Sequence, residues 1–192
     1  ELIRKSSQGH QGILEAQMIK EHASSSIGID SSALSFSIKQ TINRLHMLID
    51  QVRLIDKEIM TNVDKSETKL LSIPGISYTT GAIILAEIGD IHRLKTDDQL
   101  LAYAGLDPSV YQSGNFEGNY KISKRGSSIL RWAIYQSAQA IVRFDPVFKT
   151  YYLKKKSEGK RHRVIIGHVT KKLLRVIRTI LKNNTTYSLN TY

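Results

Sequence analysis

Between Leu34 and Lys65 apolar residues recur in alternating steps of three and four: Leu45, Leu48, Val52, Ile55 and Ile59, with Asn62 at the next position of the series. That period is the a/d spacing of a coiled coil, and it commits the segment to one long helix. Arg44, Asp50, Arg53, Asp56, Lys57 and Glu58 flank the seam and are expected to face water. Two heptads leave two outcomes open, a coiled coil between chains or a helix packed on its own neighbours. Upstream, residues 1–22 read as a modest helix with Leu2, Ile3, Ile13, Leu14, Met18 and Ile19 as its apolar positions. The Ser-rich run "HASSSIGIDSSALS", residues 22–35, reads as a connector.

Beyond the seam the pattern shortens. In "KLLSIPGISYTTGAIILAEIG", residues 69–89, an apolar turn ends at Ile73, Pro74-Gly75 makes a tight turn, and a helix begins near Thr79. This is the layout of a helix-hairpin-helix. In the hairpin Pro74, Gly75, Ile76 and Ser77 the glycine would then let backbone N–H groups approach a DNA phosphate, with the following helix N-terminus adding its partial positive charge; an ordinary helix pair joined by Pro-Gly is the equal alternative. Thr96-Asp97-Asp98-Gln99 is a capping box, which gives Asp97 and Asp98 a structural role in place of metal ligation. Residues 110–122 read as two short strands or an irregular hairpin with glycines and asparagines in the turn. A helix over about 127–143 follows, with Ile129, Leu130, Trp132, Ala133, Ile134, Ala138 and Ile141 among its apolar positions. A final amphipathic helix over about 163–183 buries Ile165, Ile166, Val169, Leu173, Val176, Ile177 and Ile180. The fold expected is mainly α: a helical domain with a helix-hairpin-helix and a small β-hairpin or irregular loop, preceded by a long coiled-coil-like helix. The expected divisions are 1–68, 69–183 and a fraying tail, 184–192, that carries Tyr187 and Tyr192.

Charge is divided unevenly along this frame. Residues 119–192 hold 17 lysines and arginines against two acids, Asp145 and Glu158, whereas the first 118 residues hold 11 basic and 15 acidic residues. A basic block of that density suits a polyanion, because each phosphate contact releases condensed counterions. No cysteine is present, which excludes disulfides and thiolate metal sites. No apolar run approaches the length that spans a bilayer, and the N-terminus has no signal-peptide apolar region, so no membrane association is expected. The first residue is Glu1, not Met, and the expectation is a fragment of something longer.

Two basic groupings stand out. Lys121, Lys124 and Arg125 precede Gly126 and a helix start, the wrong sign for a helix N-terminus unless a phosphate binds there or a distant acid compensates. With a phosphate, the N–H groups after Gly126, the Ser127 and Ser128 hydroxyls, and the cations would converge on one anion, with Arg131 one turn on. On the last helix Lys171, Arg175, Arg178 and Lys182 repeat at helical spacing and could follow a nucleic-acid backbone. Lys154-Lys155-Lys156 and "GKRHR", residues 159–163, form a basic turn. Tyr151 and Tyr152 beside it would stack or, more in keeping with their type, pack in the core.

The ordered blocks "LLSIPGISYTTGAIILAEIGDIHRL", "LAYAGLDP", "SG", "KISKRGSSILR", "RFDPVFKTYY" and "KLLRVI" resemble the C-terminal transposase domain of the IS-one-ten (IS-one-sixteen, IS-nine-oh-two) family of insertion-sequence recombinases, relatives of the pilin-gene invertases. The resemblance covers about residues 69–183, and residues 1–65 resemble the family's connector and coiled-coil region. It implies a DNA transposase or site-specific recombinase in two parts: an N-terminal RNase H-like domain whose acids bind Mg2+, and a C-terminal domain whose Ser-Gly step supplies a serine nucleophile. That step maps onto Ser113-Gly114. DNA as substrate, a structured guide RNA in some members, a homo-oligomer, and a bacterial or archaeal cytoplasmic, nucleoid-associated setting are further implications. On this reading the chain holds half an active site, is inactive alone, and has no metal ligands of its own. Taken by itself a Ser-Gly step is usually a turn. Ser109, Ser123, Ser127 and Ser128 are the alternative nucleophiles, and a noncatalytic DNA-binding and dimerisation module, or a scaffold for an acidic protein, are the competing functions.

Overall fold

A computed structural model of the protein describes residues 11–28, 31–109, 112–113, 116–117 and 121–189. The chain divides into two compact units at Asp50/Gln51. In the first, α1 (Gln11–Ser24) carries Ile13, Leu14, Met18 and Ile19 with roughly half of each side chain open to water. The expected helix start at residues 1–10, with Leu2 and Ile3, lies outside the described residues. The long helix α2 runs Ser32–Lys65, within two residues of the expected span, and only Val63 near its end is buried. Its seam residues stay open: Leu48 is 48% and Val52 56% exposed. Asn62 donates to Glu58 one turn back and remains exposed.

The second unit is a helical domain built around one central helix. After a single 3-10 turn, Leu70–Ser72, come α3 (Tyr78–Ile88), a second 3-10 turn (Ile91–Arg93), α4 (Asp97–Tyr103), a β-ribbon, α5 (Ser128–Phe144), α6 (Pro146–Ser157) and α7 (His162–Asn183). The face Leu130, Ala133, Ile134, Ala138 and Ile141 of α5 is wholly buried, and α5 packs on α3, α6 and α7. All seven residues of the stripe expected on α7 are buried, together with Thr170 and Leu174. The core is therefore the meeting of two 3.6-period stripes, closed by α3 and by Phe148 of α6.

Three departures from the sequence reading have local causes. The element before Pro74-Gly75 is a 3-10 turn and not a helix, so the hairpin joins a turn to α3. Gly75, at φ +93°, faces α5 so closely that a Cβ would lie 2.7 Å from the backbone nitrogen of Ile141. That approach alone requires glycine. Lys154–Lys156 form the last turn of α6, whose start is written as Asp145-Pro146, an N-cap with proline at N1. Asp145 is 1% exposed and accepts from the Phe148 N–H at 2.9 Å. Finally, Tyr187 does not fray: its hydroxyl donates to the other oxygen of Asp145 at 2.6 Å, and its N–H donates to Ser72 Oγ at 2.8 Å. A buried carboxylate needs donors, and the tail supplies one.

Candidate active site and nucleic-acid interface

The ribbon is made of four two-residue strands in two antiparallel pairs. β1 (Pro108–Ser109) pairs with β4 (Lys121–Ile122) at its base, and β2 (Gln112–Ser113) pairs with β3 (Phe116–Glu117) at its end, Ser113 opposite Phe116. Two residues lie between β1 and β2 but three between β3 and β4, so the register differs by one between the two pairs. Ser113 is thus the last paired residue before the Gly114-Asn115 step, with Gly114 outside the described residues. For Ser113, Ser109 and Lys121 the structure fixes backbone pairing only.

The base of the ribbon is clamped. Lys124 N–H donates to Gly105 O, Ser123 N–H to Asp107 O, and Ser127 N–H to Tyr103 O at 3.1, 2.9 and 2.7 Å. The Ser123 hydroxyl donates to Asp107 and the Ser127 hydroxyl to Glu87, so two of the alternative nucleophiles hold structural bonds. Gly126 faces the α4 C-terminus so closely that a Cβ would sit 2.0 Å from Tyr103 O, and Gly105, at φ +65°, faces it in turn.

These bonds correct the expected phosphate cradle. Ser127 is the N-cap of α5, accepting from Leu130 N–H at 3.0 Å while donating to Glu87 at 2.6 Å. The compensating negative charge at this helix start is therefore Glu87, which reaches it from α3. Gly126 is required by backbone packing, and Arg131 donates to Ala104 O at 2.9 Å, capping α4. Lys124, in the left-handed region at φ +56°, and Arg125 remain exposed beside the ribbon base.

The basic row on α7 also divides. Arg178 points into the fold: it bonds Asp97 at 3.2 Å and the carbonyls of Leu94 and Lys95, anchoring the α4 N-terminus, and its side chain is 13% exposed. Asp97 keeps the structural role expected of it, in a capping box formed by Thr96 and Gln99. Arg175 lies 3.9 Å from the same carboxylate yet is largely exposed, and Lys182 is exposed. Lys171, Lys172 and Arg175 line a basic cleft of about 630 Å³ with His168 and Tyr151. Lys172 lies over the Phe148 and Tyr151 rings at 5.4 and 5.1 Å. Burial first, then the lysines at 160, 155 and 171, hold the His168 imidazole below its ordinary 6.5. Tyr152 bonds His162 at 2.8 Å, and both tyrosines pack on the core, the blander of the two roles expected.

Residues missed by sequence reasoning are Glu87, His168, Lys172 and the outward role of Trp132; Arg163, expected in the basic turn 159–163, lies in the first turn of α7. Trp132 belongs by type with the apolar positions of α5, but with Ile129 it lies off the phase of the buried face, and it is 50% exposed. That phase difference is the signal by which the sequence distinguishes it. Among the described residues no three His, Cys, Asp or Glu side chains are grouped to hold a metal ion, and no helix is long and apolar enough to cross a membrane.

The domain that carries the ribbon is similar to insertion-sequence transposases. Residues 67–153, which include α3, the ribbon with Ser113, α5 and most of α6, match the Transposase IS116/IS110/IS902 family. It is 36% identical over 119 residues to an uncharacterized 42 kDa protein of insertion element IS900 from Mycobacterium paratuberculosis, covering 62% of this chain and 30% of that one. To the 44.8 kDa protein of insertion element IS116 from Streptomyces clavuligerus it is 31% identical over 144 residues, 73% of this chain and 36% of that one. The pilin gene-inverting protein of Moraxella bovis is 28% identical over 178 residues, 88% of this chain and 53% of that protein. The chain therefore spans 30% and 36% of the two insertion-element relatives and 53% of the inverting protein.

Proposed function

We propose that this chain is the DNA-binding, serine-bearing part of a DNA transposase or site-specific recombinase, with Ser113 as the nucleophile. The observation that carries the reading is the family match over 67–153, which includes the ribbon and its Ser-Gly step. In the reaction Ser113 Oγ attacks a backbone phosphorus. An Oγ–P bond forms, one P–O ester bond breaks, the Oγ proton passes to a base, and the departing oxygen leaves as a strand-end hydroxyl. The phosphoserine conserves the bond energy, so the reverse attack rejoins a strand without ATP.

Lys121, Lys124 and Arg125 at the ribbon base are the cations assigned to the phosphoryl oxygens. Lys171, Arg175 and Lys182 are assigned to the DNA backbone; Arg178, Arg131, Gly126 and the hairpin Pro74–Ser77, whose Ile76 and Ser77 N–H groups already donate to Ile73 O and Thr80 Oγ1, are left to the fold. The Mg2+ expected of the family finds no ligand cluster among the described residues, so no step here runs through it, and the reading places it on another part of the protein. A second copy of the chain is assigned to the open seam of α2, and a structured RNA is retained as a further nucleic-acid partner.

The test is covalent trapping. The full-length protein is incubated with nicked DNA that cannot religate, and peptides are searched by mass spectrometry. A nucleotide adduct on Ser113, absent from Ser113→Ala, is the expected result. Salt-sensitive DNA binding with no adduct and recombination unaffected by Ser113→Ala would falsify the nucleophile and leave a noncatalytic binding module.

A further inference from the structure

An apolar groove of about 650 Å³ opens between α5 and α7 at the foot of the ribbon, within the size range of small-ligand sites. Pro108 and Ile122, the paired residues at the ribbon base, form one end, and the half-exposed Trp132 and Val164 lie along it. Its polar lining includes Arg163, His168 and Lys171, and none of its lining residues is acidic. Arg163 is exposed and makes no ion pair among the described residues.

Gly167 supplies an independent observation. It lies within the 22-residue helix α7, where glycine costs about 1 kcal/mol relative to alanine. Unlike Gly75 and Gly126, no neighbour demands it: a Cβ here would meet no described heavy atom within 4 Å. A glycine that neither turns the chain nor admits a neighbour leaves helix backbone bare on the groove wall. Such a surface suits close approach by a flat ligand.

From these features we infer that the groove receives a nucleobase extruded from the DNA strand held by the ribbon. The base stacks on Trp132 against the open backbone at Gly167, and its flanking phosphates meet Arg163 and Lys171. An apolar slot whose charged lining residues are all basic complements an unstacked nucleotide, apolar on its faces and anionic along its backbone. This assignment rests on the reading of the chain as DNA-binding.

Trp132 is the sole tryptophan of the chain, so its emission reports on the groove directly. Oligothymidylate titrated into the chain is expected to quench that emission saturably, while a duplex of the same length quenches far less. Trp132→Ala, followed by anisotropy of a labelled strand, is expected to weaken binding roughly 5- to 150-fold. Gly167→Leu, which fills the groove from a position with free space above it, is expected to weaken it comparably and to abolish quenching without lowering the melting temperature. Salt-sensitive binding with unchanged emission and full affinity in Gly167→Leu overturns the groove assignment and leaves DNA binding intact. Quenching by oligouridylate alone overturns the choice of DNA. No binding of either strand or duplex at low salt overturns the DNA-binding reading, and the groove assignment with it. A concentration-dependent blue shift of the emission without any nucleic acid shows the groove to be covered by a second copy and overturns the inference.

Discussion

Charged side chains in this domain fall into two populations that a sequence does not separate. Arg178 and Arg131 commit their guanidinium groups to carbonyls and a carboxylate, whereas Lys124 and Arg125 face water with no ion pair among the described residues. The two kinds of substitution should therefore fail differently. Replacing both Lys124 and Arg125 by Ala is expected to leave the melting temperature unchanged and to reduce the slope of log affinity against log salt by about 0.9 for each phosphate that is no longer neutralised. Arg178→Ala is expected to lower thermal stability, since it strips partners from the Leu94 and Lys95 carbonyls, with little change in that slope. Equal effects on the slope would erase the distinction. The Asp145–Tyr187 bond makes a second test at this scale. Tyr187→Phe removes one donor from a carboxylate that is 1% exposed, and a drop of about 1–3 kcal/mol in denaturant unfolding is expected. No change would mean that the carboxylate finds water or another donor once the hydroxyl is gone.

At the scale of elements, periodicity is the most legible signal. α2, α5 and α7 start and end within about two residues of where their apolar spacing and caps place them. What periodicity does not reveal is which stripe finds a partner. The α7 stripe is buried throughout, while Leu45, Leu48, Val52 and Ile55 on α2 stay between 47% and 59% exposed. An apolar seam of this length left in water favours a second copy with the same seam. Analytical ultracentrifugation is expected to find the chain as a dimer or larger, and Leu48→Asp with Val52→Asp to leave it a folded monomer with helical ellipticity near its original value. A wild-type monomer at high concentration would sink this assignment. The α6 start is written in Asp145-Pro146, a cap signal overshadowed by the run of basic residues that follows it. The helix-hairpin-helix reading fails for a different reason: "KLLSIPG" carries too few residues before the proline to build an α-helix, and one 3-10 turn is what fits.

Across the whole molecule, charge asymmetry and ordered blocks point to nucleic acid and to a transposase family, and residues 67–153 match that family. The candidate site is less legible, because its parts come from distant stretches. Glu87 reaches Ser127 across 40 residues, and Arg178 reaches Leu94 across 84. No local pattern in "SKRGSS" announces that its negative partner sits on α3. Trp132 and Gly167 are likewise inconspicuous in sequence and become a pair only when α5 lies beside α7.

The ribbon leaves and re-enters the domain at adjacent points. Pro108 pairs with Ile122, and Asp107 with Ser123, so the ends of the span are held a fixed distance apart, and the buried core is assembled from residues on either side of it. For the chain as a folding problem, that span is a socket with a removable fitting. Its length and residues can change at little thermodynamic cost, so shortening or lengthening the span is expected to leave the melting temperature of the domain near its original value.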